Sequence, residues 1–143
     1  MRHAMRLLIF VPLLVGCATW GEPPLSQAAI TQLETRTIDA PFEKVYEAAI
    51  ESLFDLGYTL THSDKESGVV VGEKQHRRAI SIFVDENIPQ REFDAYQVTL
   101  LIRPEGKRQS TVRIKTSRNK ERRFDKAAIN EVWVYIERQV LMH

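Results

Sequence analysis

Pro41-Phe42-Glu43-Lys44-Val45-Tyr46-Glu47-Ala48-Ala49-Ile50-Glu51-Ser52-Leu53-Phe54-Asp55-Leu56-Gly57-Tyr58-Thr59-Leu60-Thr61-His62-Ser63 holds a helix, its stop and the strand that follows. Phe42, Val45, Tyr46, Ala49, Ile50, Leu53 and Phe54 recur every three or four residues, the spacing of one helical face. Pro41 suits the first helical position, because a first-turn N–H has no partner to lose. Gly57 suits a left-handed stop. The period then drops to two. Tyr58, Leu60 and His62 alternate with Thr59, Thr61 and Ser63, as in a half-buried strand.

Read toward the C-terminus, Asp64-Lys65-Glu66-Ser67-Gly68 is a turn and Val69-Val70-Val71 a second strand, giving a hairpin. A third strand is expected over about 79–84. A polar loop containing Pro89 follows over 85–94. Tyr96, Val98, Leu100 and Ile102 alternate with Gln97, Thr99, Leu101 and Arg103. Arg103-Pro104-Glu105-Gly106 fits a type I turn. Val112 and Ile114 alternate with Thr111, Arg113 and Lys115. A closing helix starts between Asn119 and Asp125, with Phe124, Ala128, Ile129, Val132, Trp133, Tyr135, Ile136 and Val140 on its apolar side. Toward the N-terminus, Gln32 to Asp39 is a weak, threonine-rich strand. The expectation is an α+β domain over 30–143, in the order β-α-β-β-β-β-β-α. Its antiparallel sheet has one apolar face, on which two helices pack.

The first sixteen residues have a different character. Met1 to Arg6 carries two arginines and no acid, and Leu7 to Val15 is apolar or proline. That is the layout of a secretory signal, and it is well short of the roughly 20 residues of a spanning helix. Leu14-Val15-Gly16-Cys17 resembles the bacterial lipoprotein box, and Cys17 is the chain's one cysteine. The resemblance implies S-diacylglycerol on the thiol, cleavage between Gly16 and Cys17, and N-acylation of the new amine. It implies no other cofactor. Two or three chains, at about 0.8 kcal/mol per buried CH₂, would hold the protein on a membrane. Gly16-Cys17-Ala18 also fits plain cleavage after Ala18. By resemblance to enterobacterial sorting, Ala18 after the cysteine implies the outer membrane, facing the periplasm. Residues 17–29, with Gly21, Pro23 and Pro24, read as a tether.

Three segments carry a second resemblance: Ala40-Pro41-Phe42-Glu43-Lys44-Val45-Tyr46-Glu47-Ala48-Ala49, then Leu56-Gly57-Tyr58, then Asp64-Lys65-Glu66-Ser67-Gly68-Val69-Val70. They are similar to a set of small bacterial lipoproteins of unknown function. The layout also resembles the helix-grip domains of a lipoprotein component of the outer-membrane β-barrel assembly machine. The resemblance supplies no catalytic residue. An envelope protein partner is expected at the open sheet face or at an exposed edge strand, which can accept an added strand.

Charge and chemistry narrow the function classes. The chain has 20 basic and 19 acidic side chains, and removing the leader leaves 18 against 19 over 127 residues. That balance argues against nucleic acid as a partner. Outside the leader the histidines are His62, His76 and His143, and none has metal-ligand spacing. His62 reads as a half-buried structural residue. Asp85, Glu86, Asn87, Glu92 and Asp94 lack the spacing and central glycine of a calcium loop. No metal site and no enzyme are expected. From Glu34 to Glu66 the balance is −5, and Glu43, Glu47, Glu51 and Asp55 repeat every four residues. From Arg113 to Arg123 it is +5, through Arg113, Lys115, Arg118, Lys120, Arg122 and Arg123. Two readings are open. The acidic helix lies beside this segment or water screens it, or the segment contacts an anionic envelope polymer or lipid. The functional expectation is a non-enzymatic, lipid-anchored binding or assembly module.

Overall fold

The computed structural model describes residues 24–77 and 93–142. The leader, Gly16, Cys17, the expected strand over 79–84, most of the following loop and His143 lie outside the described residues. The described elements are α1 (Gln27–Glu34), β1 (Thr35–Ile38), α2 (Phe42–Asp55), β2 (Thr59–Asp64), β3 (Val69–Arg77), β4 (Phe93–Glu105), β5 (Gln109–Arg118), β6 (Glu121–Arg122) and α3 (Lys126–Met142). Among them, six strands form one antiparallel sheet in the order β1-β5-β4-β3-β2, with β6 paired to β5 beyond β1. The α+β class and the one-sided sheet are as expected.

The opening segment folds as its periodicity dictates. α2 starts at Phe42, so Pro41 is the cap and not the first helical residue. At the other end Tyr58 N–H donates to Leu53 O and Gly57 N–H to Phe54 O, both at 2.9 Å. This is a Schellman stop, with Gly57 at φ +77°. It turns the chain so that Tyr58 enters the sheet side. Gly68 closes the β2–β3 hairpin at φ +67°, and a Cβ there would lie 2.0 Å from Ile102 O. The close approach lets Ile102 N–H donate to Gly68 O at 2.8 Å.

Val98, Leu100 and Ile102 of β4 and Val112 and Ile114 of β5 point to the helices and are buried with Val45 and Leu53 of α2 and Ile129, Trp133 and Ile136 of α3. Phe54 does not join them. Leu53 takes the core position, and Phe54, one residue further round the helix, is 74% exposed.

A third helix departs from the two expected. Gln27–Glu34 is helical, where the sequence reads as tether and then strand. Ser26 Oγ accepts from Ala29 N–H at 3.2 Å and caps it. Eight residues are marginal as an isolated helix. Tertiary partners hold this one: the Trp133 indole N–H donates to Leu33 O at 3.1 Å, and Arg122 reaches the buried Glu34 carboxylate at 3.3 Å. The strand is left with Thr35–Ile38.

Candidate functional site

α3 begins at Lys126 because Asp125 caps it: Asp125 Oδ1 accepts from Ala128 N–H at 3.0 Å. Thr116 of β5 fixes that entry. Its hydroxyl accepts from Asp125 N–H at 3.1 Å and donates to Arg123 O, and Arg123 N–H donates to Thr116 O at 3.1 Å. Ala128, a small residue, then faces the sheet. The space left between the first turn of α3 and strands β4 and β5 is a cavity of about 120 Å³, walled by Tyr58, Tyr96, Arg118, Arg123, Asp125 and Ala128. It opens outward over Lys74, His76 and Glu131.

The walls are aromatic and the charges around them are mostly engaged. Lys74 Nζ donates to Leu56 O at 3.2 Å and lies 5.3 Å from the Tyr58 ring centre. Arg118 lies 5.2 Å from the Tyr96 ring centre and pairs with Asp94. Asp94 is buried, and it also accepts from Asn119 Nδ2 at 2.8 Å. Asn119 Oδ1 in turn accepts from Ala95 N–H at 3.0 Å. Asn119 and Lys120 both have positive φ, as the central pair of a tight hairpin turn requires. Burial pushes the Tyr58 phenol above its ordinary pKa, and the carboxylates of Glu131 and Asp125 push the same way. That phenol is a hydrogen-bond donor across the physiological range.

The basic residues read from the sequence do not form one patch. Arg113 and Lys115 stand on the sheet face away from the helices, opposite Leu101 and Thr99 of β4. Arg118 is on the helix side with Asp94, and Arg122 is on Glu34. Lys120 is at the hairpin tip, and Arg123 lines the cavity. The acids of α2 are served from elsewhere: Glu43 by Lys65, and Asp55 by Arg138 at 3.4 Å and Gln139 at 2.8 Å. Glu43 and Asp55 of α2 thus pair away from the basic segment, and the acidic stretch meets that segment through Glu34 of α1 and Arg122. Arg122 and Arg123 precede α3 in strand and coil, so they do not oppose its dipole from within the first turn.

His62 is exposed on β2 opposite Val71, not half-buried, because the ladder shifts register between Leu60 and His62. His76 stands edge-on to Tyr96 at 6.3 Å, at the cavity mouth it shares with Asp125 and Glu131. Among the described residues no three His, Cys, Asp or Glu side chains are grouped to hold a metal. Sequence reading passed over Tyr58, Tyr96, Thr116 and Asp125 as site residues. The one available signal was the Asp125 cap ahead of an apolar stripe.

No protein-family model matches the chain, and no curated protein matches it. Among solved structures, a DUF4468 family protein from Bacteroides ovatus is similar at 8% identity and a TM-score of 0.30, over 66% of this chain and 61% of that one. The chain thus spans about three fifths of that protein's structure. Norcoclaurine synthase from Thalictrum flavum, solved with dopamine and hydroxybenzaldehyde, is similar at 13% identity and a TM-score of 0.36, over 98% of both chains.

Proposed function

We propose that this protein is a lipid-anchored, non-enzymatic module of the bacterial envelope that works by binding a protein partner. Cys17 carries the lipid, the outer membrane is the site and the domain faces the periplasm. The anchoring rests on Leu14-Val15-Gly16-Cys17. Eight residues separate Cys17 from the cap of α1 at Ser26, and fully extended this stretch reaches about 30 Å. The domain works within that distance of the bilayer.

The observation that carries the binding reading is how the cavity's polar groups are spent. Asp125 caps α3, Thr116 ties β5 to it, Asp94 holds Arg118, and Lys74 bonds Leu56 O. Groups committed to structure are poor acids and bases for turnover, whereas an aromatic-walled recess with a donor phenol suits an inserted side chain. The split of the basic segment favours a protein partner over an anionic polymer, since Arg118 and Arg122 are already paired.

Site-specific photocrosslinking in cells tests this, with the probe at Glu131 on the cavity mouth and, separately, at Glu47 on α2. The expected result is a discrete protein adduct from Glu131 only, in the membrane fraction, lost to the soluble fraction with Cys17→Ala. A wild-type chain that is soluble and begins at Thr19 overturns the anchoring. Adducts of equal yield from both positions overturn the cavity as the contact.

A further inference from the structure

The sheet face away from the helices is built asymmetrically. Its basic side chains, Arg103, Arg113 and Lys115, stand on β4 and β5. Of its acids, Asp64 and Glu73 stand on β2 and β3, and Glu105 stands at the far end of β4, beside the turn. Between them the face is apolar, through Leu101, Val69 and Val71. One row across the strands holds the whole gradient, because register sets Arg113 beside Leu101, Leu101 beside Val69 and Val69 beside Asp64. No described element packs on this face, and its residues are half-buried or exposed. Two polar atoms here are buried and without a hydrogen-bond partner: Arg113 Nε and Thr111 Oγ1.

We propose that this face is where two copies of the chain meet, sheet against sheet, about a two-fold axis parallel to the strands between β3 and β4. That axis reverses the row. Arg113 of one copy then lies over Asp64 of the other, and Leu101 over Val69. A two-fold axis across the strands would instead set base over base and acid over acid. Aligned packing at about 10 Å separation is the ordinary arrangement for two such sheets. The Arg113 guanidinium of one copy then faces the Asp64 carboxylate of the other, which Ser67 Oγ and Glu66 N–H hold in place at 2.6 and 3.1 Å, and shielding from water strengthens that pair. An isologous contact of this kind closes on itself and leaves the cavity at α3 on the outside of each copy. The inference goes beyond the binding function above and does not depend on it. A shared membrane would only raise the local concentration of the two copies.

The test is the mass of the purified full chain in non-ionic detergent, by light scattering and sedimentation across a concentration series. The wild type is expected at twice the chain mass. Arg113→Glu and Asp64→Lys, each alone, are expected to weaken the dimer at least about tenfold. The double variant Arg113→Glu/Asp64→Lys is expected to restore it, since the row is then the same gradient reversed. Circular dichroism confirms folding of each variant. Should either single change unfold the chain, Leu101→Lys probes the same contact from its apolar centre. A wild type that is monomeric at all concentrations overturns the proposal. So does a dimer indifferent to the single reversals or to Leu101→Lys, or a folded double variant that stays monomeric.

Discussion

The two faces of the sheet are written by the same strands, one residue out of step, and they have opposite fates. Val98, Leu100, Ile102, Val112 and Ile114 face α2 and α3 and are almost wholly out of water. Thr99, Leu101, Arg103, Thr111, Arg113 and Lys115 face the other way and keep part of their surface. The covered face tolerates polar groups only with partners, as Ser110 shows by donating to Ala40 O at 2.9 Å. The open face carries a charge gradient and two polar atoms without partners. Stability is therefore concentrated on one side, which leaves the other free to be shaped for contact.

The contrast is broken most directly by neighbouring leucines. Leu100→Ala is expected to destabilise by about 2–5 kcal/mol, the range for emptying a packed site. Leu101→Ala, measured at a concentration low enough to keep the chain monomeric, should cost less than about 1 kcal/mol. Equal losses in urea unfolding would show that both faces are covered within one copy. Next in size, Asp94→Ala should cost about 1–3 kcal/mol, since Arg118 and Asn119 both lose their acceptor at a buried position. Asp94→Asn should retain the Asn119 contact and lose less. A cost below about 0.5 kcal/mol for both would mean that the cavity floor is not held by this cluster. Asp125→Ala should cost about 1 kcal/mol through the lost cap and should loosen the first turn of α3, read as faster amide exchange over 126–130.

The smallest effect concerns protons. The Tyr58 phenol is raised above 10.0 in the folded chain, so the folded state keeps its proton where the unfolded state loses it. The stabilisation is full below the unfolded value and falls away as pH rises from about 10 through the folded value. Tyr58 should ionise late in an ultraviolet titration, and Tyr58→Phe should abolish that late step and flatten the alkaline loss of stability. A titration that Tyr58→Phe leaves without loss of a late step would place Tyr58 in water.

The helix over Phe42–Asp55, its stop at Gly57, the alternation of β4 and β5 and the closing helix were legible because each is a local matter of period and of turn chemistry, whereas the bulge in β2 that turns His62 outward was not. α1 was not. Eight residues beginning Gln27-Ala28-Ala29 carry too few apolar positions to announce a helix, and it exists through Trp133 and Arg122, about a hundred residues away. The exposure of Phe54 was hidden for a related reason, because periodicity marks a broad stripe and only packing chooses Leu53 as its centre.

The candidate site was less legible still. Its walls come from Tyr58 just ahead of β2, from β4 and β5, and from residues 123–128 at the entry to α3, four segments whose meeting is decided by strand order and not by any spacing in the chain. The basic run from Arg113 to Arg123 looked like one feature because charge is visible in sequence. A strand sends alternate side chains to opposite faces and a hairpin turns the remainder aside, so the fold divides it.

By itself, then, the sequence determined the α+β class, the main helices and strands, and the lipoprotein-like signature ending at Cys17. All of these are encoded by residues within about twenty positions of one another. Tertiary structure alone decided that α1 forms, which carboxylate meets which cation, where the cavity opens and which residues remain on the free face. Those are outcomes of contacts between distant segments. Such contacts form only when burial of the shared core repays the entropy of bringing the segments together.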